Sequence, residues 1–388
     1  MQLELVKLPK RNEVRLDKQK GIFLNGKDNA YPQRVERIIN ASVSAKMWCA
    51  MLKKFIIGGG FEDEALNQVV VSTDVLGDTT LYRFLSQCAS TVSRQNGVFA
   101  QVGYDANLKI FNVKHIPFRD CRIGRDDSFG YSGKIHVSTD WEKTLPVKEK
   151  EKVIDTFNPK EEVVKAQFKK GYMGQIAHLF LDDEYVYPLS VIDPSLEDAD
   201  TEAQISAFKN GELRGGFFAK YIVYHTAFQT KEQALDFKAK LQKFQGGEHE
   251  GSMLLAEAVF DAETGNPMQS LNFKLEKIEQ NINDKIFESY ETSVANNIRK
   301  SLLAIPQILI EWEGGKLSAP SGTLLNEAIG FYNSQTEDIR TALSQWMTTI
   351  FRHSANPQLA QANFTIKKLN YGTLDAGRTA GDKTAEQQ

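Results

Sequence analysis

The stretch 271–310 constrains the fold most, because its hydrophobic period changes from that of a strand to that of a helix. Apolar residues alternate at 271, 273 and 275, which predicts a strand. The next apolar positions recur at helical spacing and predict one face of a long amphipathic helix. The helix is expected to end at Ala304-Ile305, because the residue before Pro306 is disfavoured in the α region. Its apolar face is assigned to Ile278, Ile282, Ile286, Phe287, Tyr290, Val294, Ile298 and Leu302.

The opposite face of this helix is charged, with acids early and bases late, as the helix macrodipole favours. A loop over 311–322 follows, and Gly314-Gly315 makes it flexible. A second long helix is predicted from Ser321 to about His353, with Leu324 and Phe331 on its apolar face. The chain therefore places a strand, a helix, a flexible loop and another helix in direct succession.

The composition is that of a soluble protein: 388 residues, 41% hydrophobic and 25% charged, with a net charge of −3. This charge argues against a free, sequence-specific DNA reader, which carries a basic patch. Three cysteines without the spacing of metal or redox sites indicate a reducing compartment. Neither a signal peptide nor an apolar run of about 18 residues is evident, so a cytosolic product is expected.

The first part of the chain predicts an arm followed by helices. Residues 1–29 are charged, and Leu24-Asn25-Gly26-Lys27 is typical of a hairpin turn. One helix is predicted from Tyr31-Pro32 to Ile56, and Gly58-Gly59-Gly60 stops it; the glycines lack the lysine and hydroxyl of a phosphate loop. Another amphipathic helix is predicted over 79–94, and its inner face is assigned to Leu81, Phe84, Leu85, Ala89 and Val92. The first helix is expected to bury Val35, Ile38, Ile39, Val43, Met47, Met51 and Ile56.

A β-rich stretch follows these helices. Residues 97–105 and 107–116 flank an Asp-Ala-Asn turn and predict a hairpin. Together with the two helices, this stretch predicts an α+β domain over about 30–185. Further strands are expected at 134–138, 153–157, 162–168 and 175–181.

The middle of the chain predicts a helix and then a small module. The helix begins at Asp193-Pro194, runs to about Gly211 and carries acids whose spacing differs from that of a calcium loop. The module has the order β-α-β, with strands over 217–225 and 252–257 and a helix over 230–245. Such an insert between two helices suits a peripheral interaction domain.

The sequence contains no recognisable catalytic motif. Its six histidines are scattered, and nucleotide-binding, nucleophile-elbow and metalloprotease motifs are absent. Asp120 and Asp126 have the residue type of nuclease ligands, but no further carboxylate or lysine lies at useful spacing. We therefore expect no enzyme, and no catalytic, cofactor-binding or metal site.

Three passages carry a resemblance to a known family. Phe208-Lys209-Asn210-Gly211 precedes an apolar strand, and Gly97-Val98-Phe99-Ala100 follows the predicted helix 79–94. The run 295–299 lies on the long helix, and 303–309 contains the proline that stops it. In this order, across about 30–350, the passages resemble those of the portal (head-to-tail connector) proteins of tailed bacteriophages and prophages.

The resemblance implies an α+β portal-like elongated subunit with a wing, two stem helices, a small β-α-β clip, a long C-terminal wing helix and a reduced crown. The chain departs from the family at Gln307, where a second proline is frequent, and after residue 353, where little length remains for a crown. The implied segments are an N-terminal arm (1–29), wing (30–188), first stem helix (189–211), clip (212–272), second stem helix (273–304), tunnel loop (305–322), long helix with wing and short crown (323–370) and disordered tail (371–388).

The resemblance also implies a function. Portal subunits form a ring, a dodecamer in the family, at one capsid vertex of the virion, after assembly in the host cytoplasm. Double-stranded DNA passes through the channel during packaging and ejection, without sequence specificity. The expected partners are other copies of the chain, the terminase large subunit, the head–tail adaptor, and the major capsid and scaffold proteins, with no membrane and no cofactor.

Three sets of residues are assigned to these roles. An acidic or mixed stem wall is expected to let DNA slide, because a basic wall releases counterions and holds phosphates. The channel loop is assigned to Glu311, Gly314, Gly315, Lys316, Ser318 and Ser321. The stem lumen is assigned to Glu197, Asp198, Glu202, Glu279, Glu288 and Glu291. Packing between ring subunits is assigned to Ile278, Ile282, Ile286 and Ile298.

Two alternatives stay open at the level of sequence. One is an enzyme that processes nucleic acid through an unrecognised metal site, which predicts metal-dependent activity. The other is a different phage structural protein, such as a capsid or baseplate component, which predicts an assembly other than a closed ring. The loop 311–322 likewise has a simpler interpretation as a connector between helices. On the portal hypothesis, Ile298→Asp is expected to leave a subunit that fails to form rings.

Overall fold

The computed structural model of the chain describes residues 15–75, 77–125, 133–141, 151–168, 173–182, 186–214, 220–225, 231–232, 235–236, 253–257, 273–278, 284–309 and 322–370. The chain divides into a larger unit, formed by 1–200 and 294–388, and a smaller unit, 201–293. Both units combine helices with sheets, so the α+β prediction is confirmed. The tail predicted over 371–388 lies outside the described residues.

Strands and helices are numbered in chain order. The strands are β1 (Arg15–Asp17), β2 (Ile22–Leu24), β3 (Val70–Asp74), β4 (Gly77–Thr80), β5 (Gly97–Tyr104), β6 (Ile110–Ile116), β7 (Cys121–Ile123), β8 (Lys134–Val137), β9 (Lys152–Thr156), β10 (Gln175–Phe180), β11 (Lys220–His225), β12 (Met253–Glu257) and β13 (Phe273–Ile278). The helices are α1 (Tyr31–Ala41), α2 (Val43–Ile57), α3 (Leu81–Gln95), α4 (Glu161–Phe168), α5 (Leu196–Arg214), α6 (Asp284–Ser301), α7 (Gly322–Gln335), α8 (Glu337–Phe351) and α9 (Pro357–Ala360).

A six-stranded sheet in the order β6-β5-β10-β9-β8-β7 forms the base of the larger unit. Neighbouring strands are antiparallel, except that β9 and β10 are parallel. The predicted hairpin is present as β5 and β6, and three of the four further strands are present as β8, β9 and β10. Helix α3, capped by the Thr80 hydroxyl, buries the residues predicted for its inner face: Leu81, Phe84, Leu85, Ala89 and Val92.

The prediction of a strand at 162–168 is wrong, because helix α4 occupies this segment. Adjacent valines at 163 and 164 have high β-propensity, but only Val164 is buried. Glu161 and Glu162 lie in the first turn, where the helix dipole favours acids, and Lys165 pairs with Glu161 one turn away. Local charge placement therefore outweighs the β-propensity of the two valines.

The single helix predicted over 31–56 is instead two helices, α1 and α2, which meet at Ser42. Ser42 is extended, and its hydroxyl accepts a hydrogen bond from the Ala45 N–H, which caps α2. The break changes the buried face, so Val43 is 71% exposed and Met47 is 37% exposed, although both were predicted to lie inside. Helix α2 instead buries Trp48, Cys49, Leu52, Phe55 and Ile56.

The second long helix, predicted from Ser321 to His353, is also two helices, α7 and α8, which meet at Thr336. The Thr336 hydroxyl donates to the carbonyl of Tyr332, and the buried Arg340 donates to the Asn333 carbonyl and to the Thr336 hydroxyl. A further Arg340 N–H reaches the Phe55 carbonyl near the end of α2 at 3.1 Å. These bonds hold the junction between α7 and α8, which hydrophobic periodicity does not reveal. Two residues predicted to face inward are about half exposed: Leu324 and Phe331.

The turn of the N-terminal hairpin lies earlier than predicted. Residues 18–21 join β1 to β2, whereas Leu24 ends the second strand and Asn25-Gly26-Lys27 follows it. The Asp17 carboxylate accepts hydrogen bonds from the N–H groups of Gln19 and Lys20, and Gly21 has a φ of +66°. An aspartate that bonds the backbone two residues ahead is a strong turn former. The described part of the predicted arm belongs to the larger unit, because Ile22 forms a β-bridge with Gly124 beside β7.

The three glycines at 58–60 end α2, as predicted, and they also contact the last described segment of the chain. The Gly59 N–H donates to the Lys367 carbonyl at 3.0 Å, and the Lys367 N–H donates to the Gly60 carbonyl at 2.8 Å. A Cβ on Gly58 would lie 1.9 Å from the Lys367 carbonyl oxygen. Phe364 and Ile366, in the same segment as Lys367, are buried. The glycine run is therefore a close-approach surface for the backbone of 364–368.

The smaller unit contains a three-stranded sheet in the order β12-β11-β13. Strands β11 and β12 are parallel, as in the predicted β-α-β module, and helical residues between them are described at 231–232 and 235–236. Strand β13 adds an antiparallel partner to β11, with Lys220 opposite Ile278. The prediction that Ile278 lies on the long helix is wrong, because this pairing keeps the backbone extended as far as Ile278. Helix α6 begins at Asp284.

Candidate functional site: the helices α5 and α6

Helix α5 continues from a 3-10 turn, Asp193–Ser195, in which Pro194 occupies an early position. The Tyr31 phenol of α1 donates a hydrogen bond to the Asp193 carboxylate at 2.6 Å, and Asp193 is 6% exposed. Burial, followed by the charge of Asp193, raises the pKa of Tyr31 above its usual value, so the phenol keeps its proton as a donor. This contact fixes the start of α5 within the larger unit.

The last turns of α6 lie in the apolar core of the larger unit. Val294, Ile298 and Leu302 recur every four residues, and none is more than 3% exposed. They belong to the same apolar cluster as Ala199 of α5. The helical face predicted from the sequence is therefore present at these positions, but it faces the interior of the subunit.

The assignment of Ile298 to packing between ring subunits is wrong. Its exposed fraction is 0%, so it offers no surface to a neighbouring copy. Of the other residues in that set, Ile278 lies on β13, and Ile286 lies on α6 with only its place in the helix described. Ile282 lies outside the described residues.

Polar contacts join α5 to α6 within the larger unit. The Ser195 and Ser301 hydroxyls are 2.7 Å apart, and the Asn297 side-chain amide donates to the Asp198 carboxylate at 3.4 Å. Residue numbers rise along one helix as they fall along the other, so these segments are antiparallel. In the smaller unit, the Lys209 ammonium of α5 pairs with the Glu291 carboxylate of α6 at 2.5 Å.

The acids assigned to the stem lumen have different surroundings. Glu197 is exposed, Asp198 and Glu202 are half-buried, and Glu291 is compensated by Lys209. Glu288 lies on α6 with only its helical position described, and Glu279 lies outside the described residues. At least one of the described carboxylates, Glu291 in the smaller unit, is therefore paired with a lysine. The six residues assigned to the channel loop lie outside the described residues: Glu311, Gly314, Gly315, Lys316, Ser318 and Ser321.

Helix α6 ends in an unusual turn before Pro306. Leu303 and Ala304 have φ values of +59° and +50°, so two consecutive residues with a Cβ occupy the left-handed region. The Arg299 guanidinium donates to the Ile305 carbonyl at 2.7 Å, and the Tyr332 phenol of α7 donates to the Leu302 carbonyl at 3.0 Å. Burial raises the pKa of Tyr332 above its usual value, which keeps this donor protonated. Sequence reasoning placed the stop at the proline and missed Arg299 and Tyr332, because their role depends on tertiary contacts.

Ala304→Gly is expected to stabilise the larger unit by about 1 kcal/mol, because glycine adopts the left-handed conformation without the Cβ penalty. Chemical denaturation of the full chain measures this change. The matched control is Ala295→Gly inside α6, which is expected to destabilise by about 1 kcal/mol, since glycine is a poor helix former. Equal losses of stability in both variants would show that the turn stores no strain at Ala304.

Neither a metal-binding cluster nor a membrane-spanning helix is found among the described residues. Within these ranges, no group of three His, Cys, Asp or Glu side chains is arranged to hold a metal ion. Asp120 lies 3.7 Å from the guanidinium of Arg119, and its partner in the nuclease alternative, Asp126, lies outside the described residues. No helix in the described ranges is both long and apolar enough to cross a membrane.

Comparison with known proteins gives structural likeness without sequence likeness. No protein-family model matches the chain, and no curated protein matches it. A chain in the virion of the native gene transfer agent (GTA) particle is 12% identical, with a TM-score of 0.50 over 89% of this chain and 86% of that chain. A chain in the neck of the empty GTA particle gives 12% identity and a TM-score of 0.49 over 85% and 86%. An HK97 family phage portal protein from Corynebacterium diphtheriae gives 8% identity and a TM-score of 0.41 over 84% and 92%.

At such low identity, the comparison establishes a shared fold and not a shared activity. The GTA virion chain carries this conclusion, because its likeness extends over most of both chains. This chain therefore shares the fold of a chain in the virion of the native GTA particle.

Proposed function

We propose that this chain is the portal protein of a phage or phage-like particle, and that it forms a ring around a DNA channel at one capsid vertex. The observation that carries the proposal is the shared fold with the GTA virion chain over 89% of this chain. A ring of twelve copies is proposed from the portal resemblance. The ring assembles in the host cytoplasm and is then built into the virion.

The pair α5 and α6 is proposed as the stem that borders the channel. In the larger unit, α6 buries Val294, Ile298 and Leu302 within its own subunit, which leaves the opposite helix face for solvent or a neighbouring copy. In the smaller unit, the Lys209–Glu291 pair gives the described part of the proposed stem a mixed charge. Such a surface neutralises few phosphates, so duplex DNA is not held by counterion release and can slide.

The remaining partners are proposed from the resemblance to portal proteins. The clip, 212–272, is proposed to dock the terminase large subunit during packaging and the head–tail adaptor afterwards. The wing, 30–188, is proposed to contact the major capsid and scaffold proteins. The direct test of the ring is electron microscopy of the purified chain, in which closed rings with an axial hole are expected.

Deletion of Lys316 to Ala319 tests the proposed channel loop. We expect rings to form normally, because the deletion leaves the described helices on either side intact, while DNA packaging or retention by assembled particles falls. Packaged DNA per particle, measured after nuclease treatment, reports the effect.

The matched control deletes four residues, Asp382 to Ala385, near the end of the chain. This control is expected to package DNA normally. A loop deletion that abolishes ring formation would show that residues 316–319 serve the architecture of the subunit and not the passage of DNA.

A further inference from the structure

A basic cleft lies in the larger unit, outside α5 and α6. It is open and has a volume of about 790 Å³. Three segments form it: the turn between β1 and β2, the residues that follow β7, and the start of β8 with its neighbour on β9. Its lining residues are Lys18, Gln19, Lys20, Gly21, Gly124, Arg125, Gly133, Lys134, His136 and Val153.

Backbone hydrogen bonds join the three segments, so the cleft is a built feature of the fold. The Arg125 N–H donates to the Gly21 carbonyl at 2.7 Å, and the Gly124 N–H donates to the Lys134 carbonyl at 2.8 Å. A Cβ on Gly124 would lie 2.8 Å from that same carbonyl oxygen, so the close approach requires glycine. The Asp17 carboxylate fixes the turn that carries Lys18 and Lys20.

The charge of the cleft is one-sided although the whole chain is slightly acidic. Four of its lining residues are cations, and no described acidic side chain lines it. Among the described carboxylates, Glu151 pairs with Lys20 and His136, and Asp155 pairs with Lys134, so two of the four cations are compensated. Lys18 and Arg125 are exposed, and their positive charge faces an open space.

We propose that this cleft binds the phosphate backbone of nucleic acid, without sequence specificity. The exposed Lys18 and Arg125, beside an open, polar space, supply the positive charge that backbone binding needs. A protein segment would need an apolar or aromatic anchor pocket to gain affinity, and Val153 is the one large apolar side chain in the lining. The chemistry therefore favours the phosphate backbone of nucleic acid over an acidic peptide.

The proposal deepens the proposed function, because the cargo of a portal-bearing particle is DNA. The cleft is proposed as a nucleic-acid contact in addition to the channel. Its charge is positive, whereas the charge of the proposed stem is mixed. The stem surface is mixed and releases DNA, whereas the cleft holds phosphates by electrostatic attraction that salt weakens.

Binding of the full-length chain to a fluorescent DNA duplex of random sequence, between about 50 and 200 mM salt, tests the proposal. In the double variant Lys18→Gln/Arg125→Gln, we expect about tenfold weaker binding at low salt. The slope of log affinity against log salt is expected to fall in magnitude by about 2, because two phosphate contacts are removed. Circular dichroism confirms that the variant is folded, since both side chains are exposed.

The matched control is Arg37→Gln/Lys46→Gln, which removes one arginine and one lysine from exposed positions on α1 and α2. It is expected to leave the salt slope unchanged within about 0.5. An unchanged slope in the cleft variant, or equal slopes in both variants, would overturn the proposal. Preferential binding of a poly-glutamate peptide over the duplex would overturn it in favour of an acidic protein partner. Ring formation by the same samples is scored separately in the microscope, so failure of the cleft is distinct from failure of the portal assignment.

Discussion

Ile298→Asp is expected to abolish cooperative folding of the larger unit, with a loss of more than about 4 kcal/mol. Ile298 has no exposed surface and lies in the cluster that also holds Val294 and Leu302. The aspartate would be buried without a cation, and the lost isoleucine would leave a cavity. Urea denaturation, followed by circular dichroism, measures the loss.

The control for this variant is Ser293→Asp, which makes the same change of charge at an exposed position of the same helix. It is expected to alter stability by less than about 0.5 kcal/mol. A well-folded Ile298→Asp subunit that fails only to form rings would contradict the buried position and return Ile298 to the surface between subunits.

Gly58→Ala is expected to destabilise the larger unit by about 3 kcal/mol and to release the segment 364–368. The added Cβ would lie 1.9 Å from the Lys367 carbonyl oxygen, a backbone atom that moves only with its whole segment. The residue would also adopt a φ of +55° with a side chain attached. Amide hydrogen exchange at Lys367, whose N–H donates to Gly60, reports the release directly.

Gly77→Ala separates the cost of a positive φ from the cost of a steric clash. Gly77 has a φ of +101°, but a Cβ there would meet nothing within 4 Å. This variant carries the conformational cost alone and is expected to lose about 1 kcal/mol, with normal protection of Lys367. If Gly58→Ala loses no more stability than Gly77→Ala, the close approach between the glycine run and Lys367 is not required by the fold.

Much of the architecture is predictable from hydrophobic period and turn chemistry. Helix α3 follows its pattern because it buries one face, and the β5–β6 hairpin follows its pattern because a turn at Asp105 joins two paired strands. The portal resemblance is also carried by local passages, and the likeness of fold agrees with it. These elements are specified by residues that are close in sequence.

The differences arise where a tertiary or capping contact overrides the period. The Ser42 hydroxyl caps α2 and divides one predicted long helix, and the other is interrupted at Thr336, where Arg340 bonds to the Thr336 hydroxyl, although the apolar repeat continues past each residue. The pairing of β13 with β11 extends the strand to Ile278, whereas the hydrophobic period predicts that the helix begins there. The hydrophobic period also places Ile298 on the apolar face of its helix. It does not show whether that face packs in the subunit core or against another subunit.

The basic cleft also depends on tertiary contacts that the sequence does not reveal. Lys18, Arg125 and Lys134 are far apart in sequence and form no motif, so no local signal identifies them. The pairing of the N-terminal hairpin with the segment after β7 brings them together. The sequence-based loop assignment at 24–27 would have placed this turn elsewhere.

The central claim is that this chain assembles into a closed ring. Native mass measurement of the purified full chain, alone and with the capsid and scaffold proteins of its particle, tests it most directly, with negative-stain electron microscopy of the same sample. The account predicts closed rings with an axial hole and a mass close to twelve times the 43.7 kDa subunit. A chain that stays at 43.7 kDa under both conditions, or that forms open filaments, would contradict it.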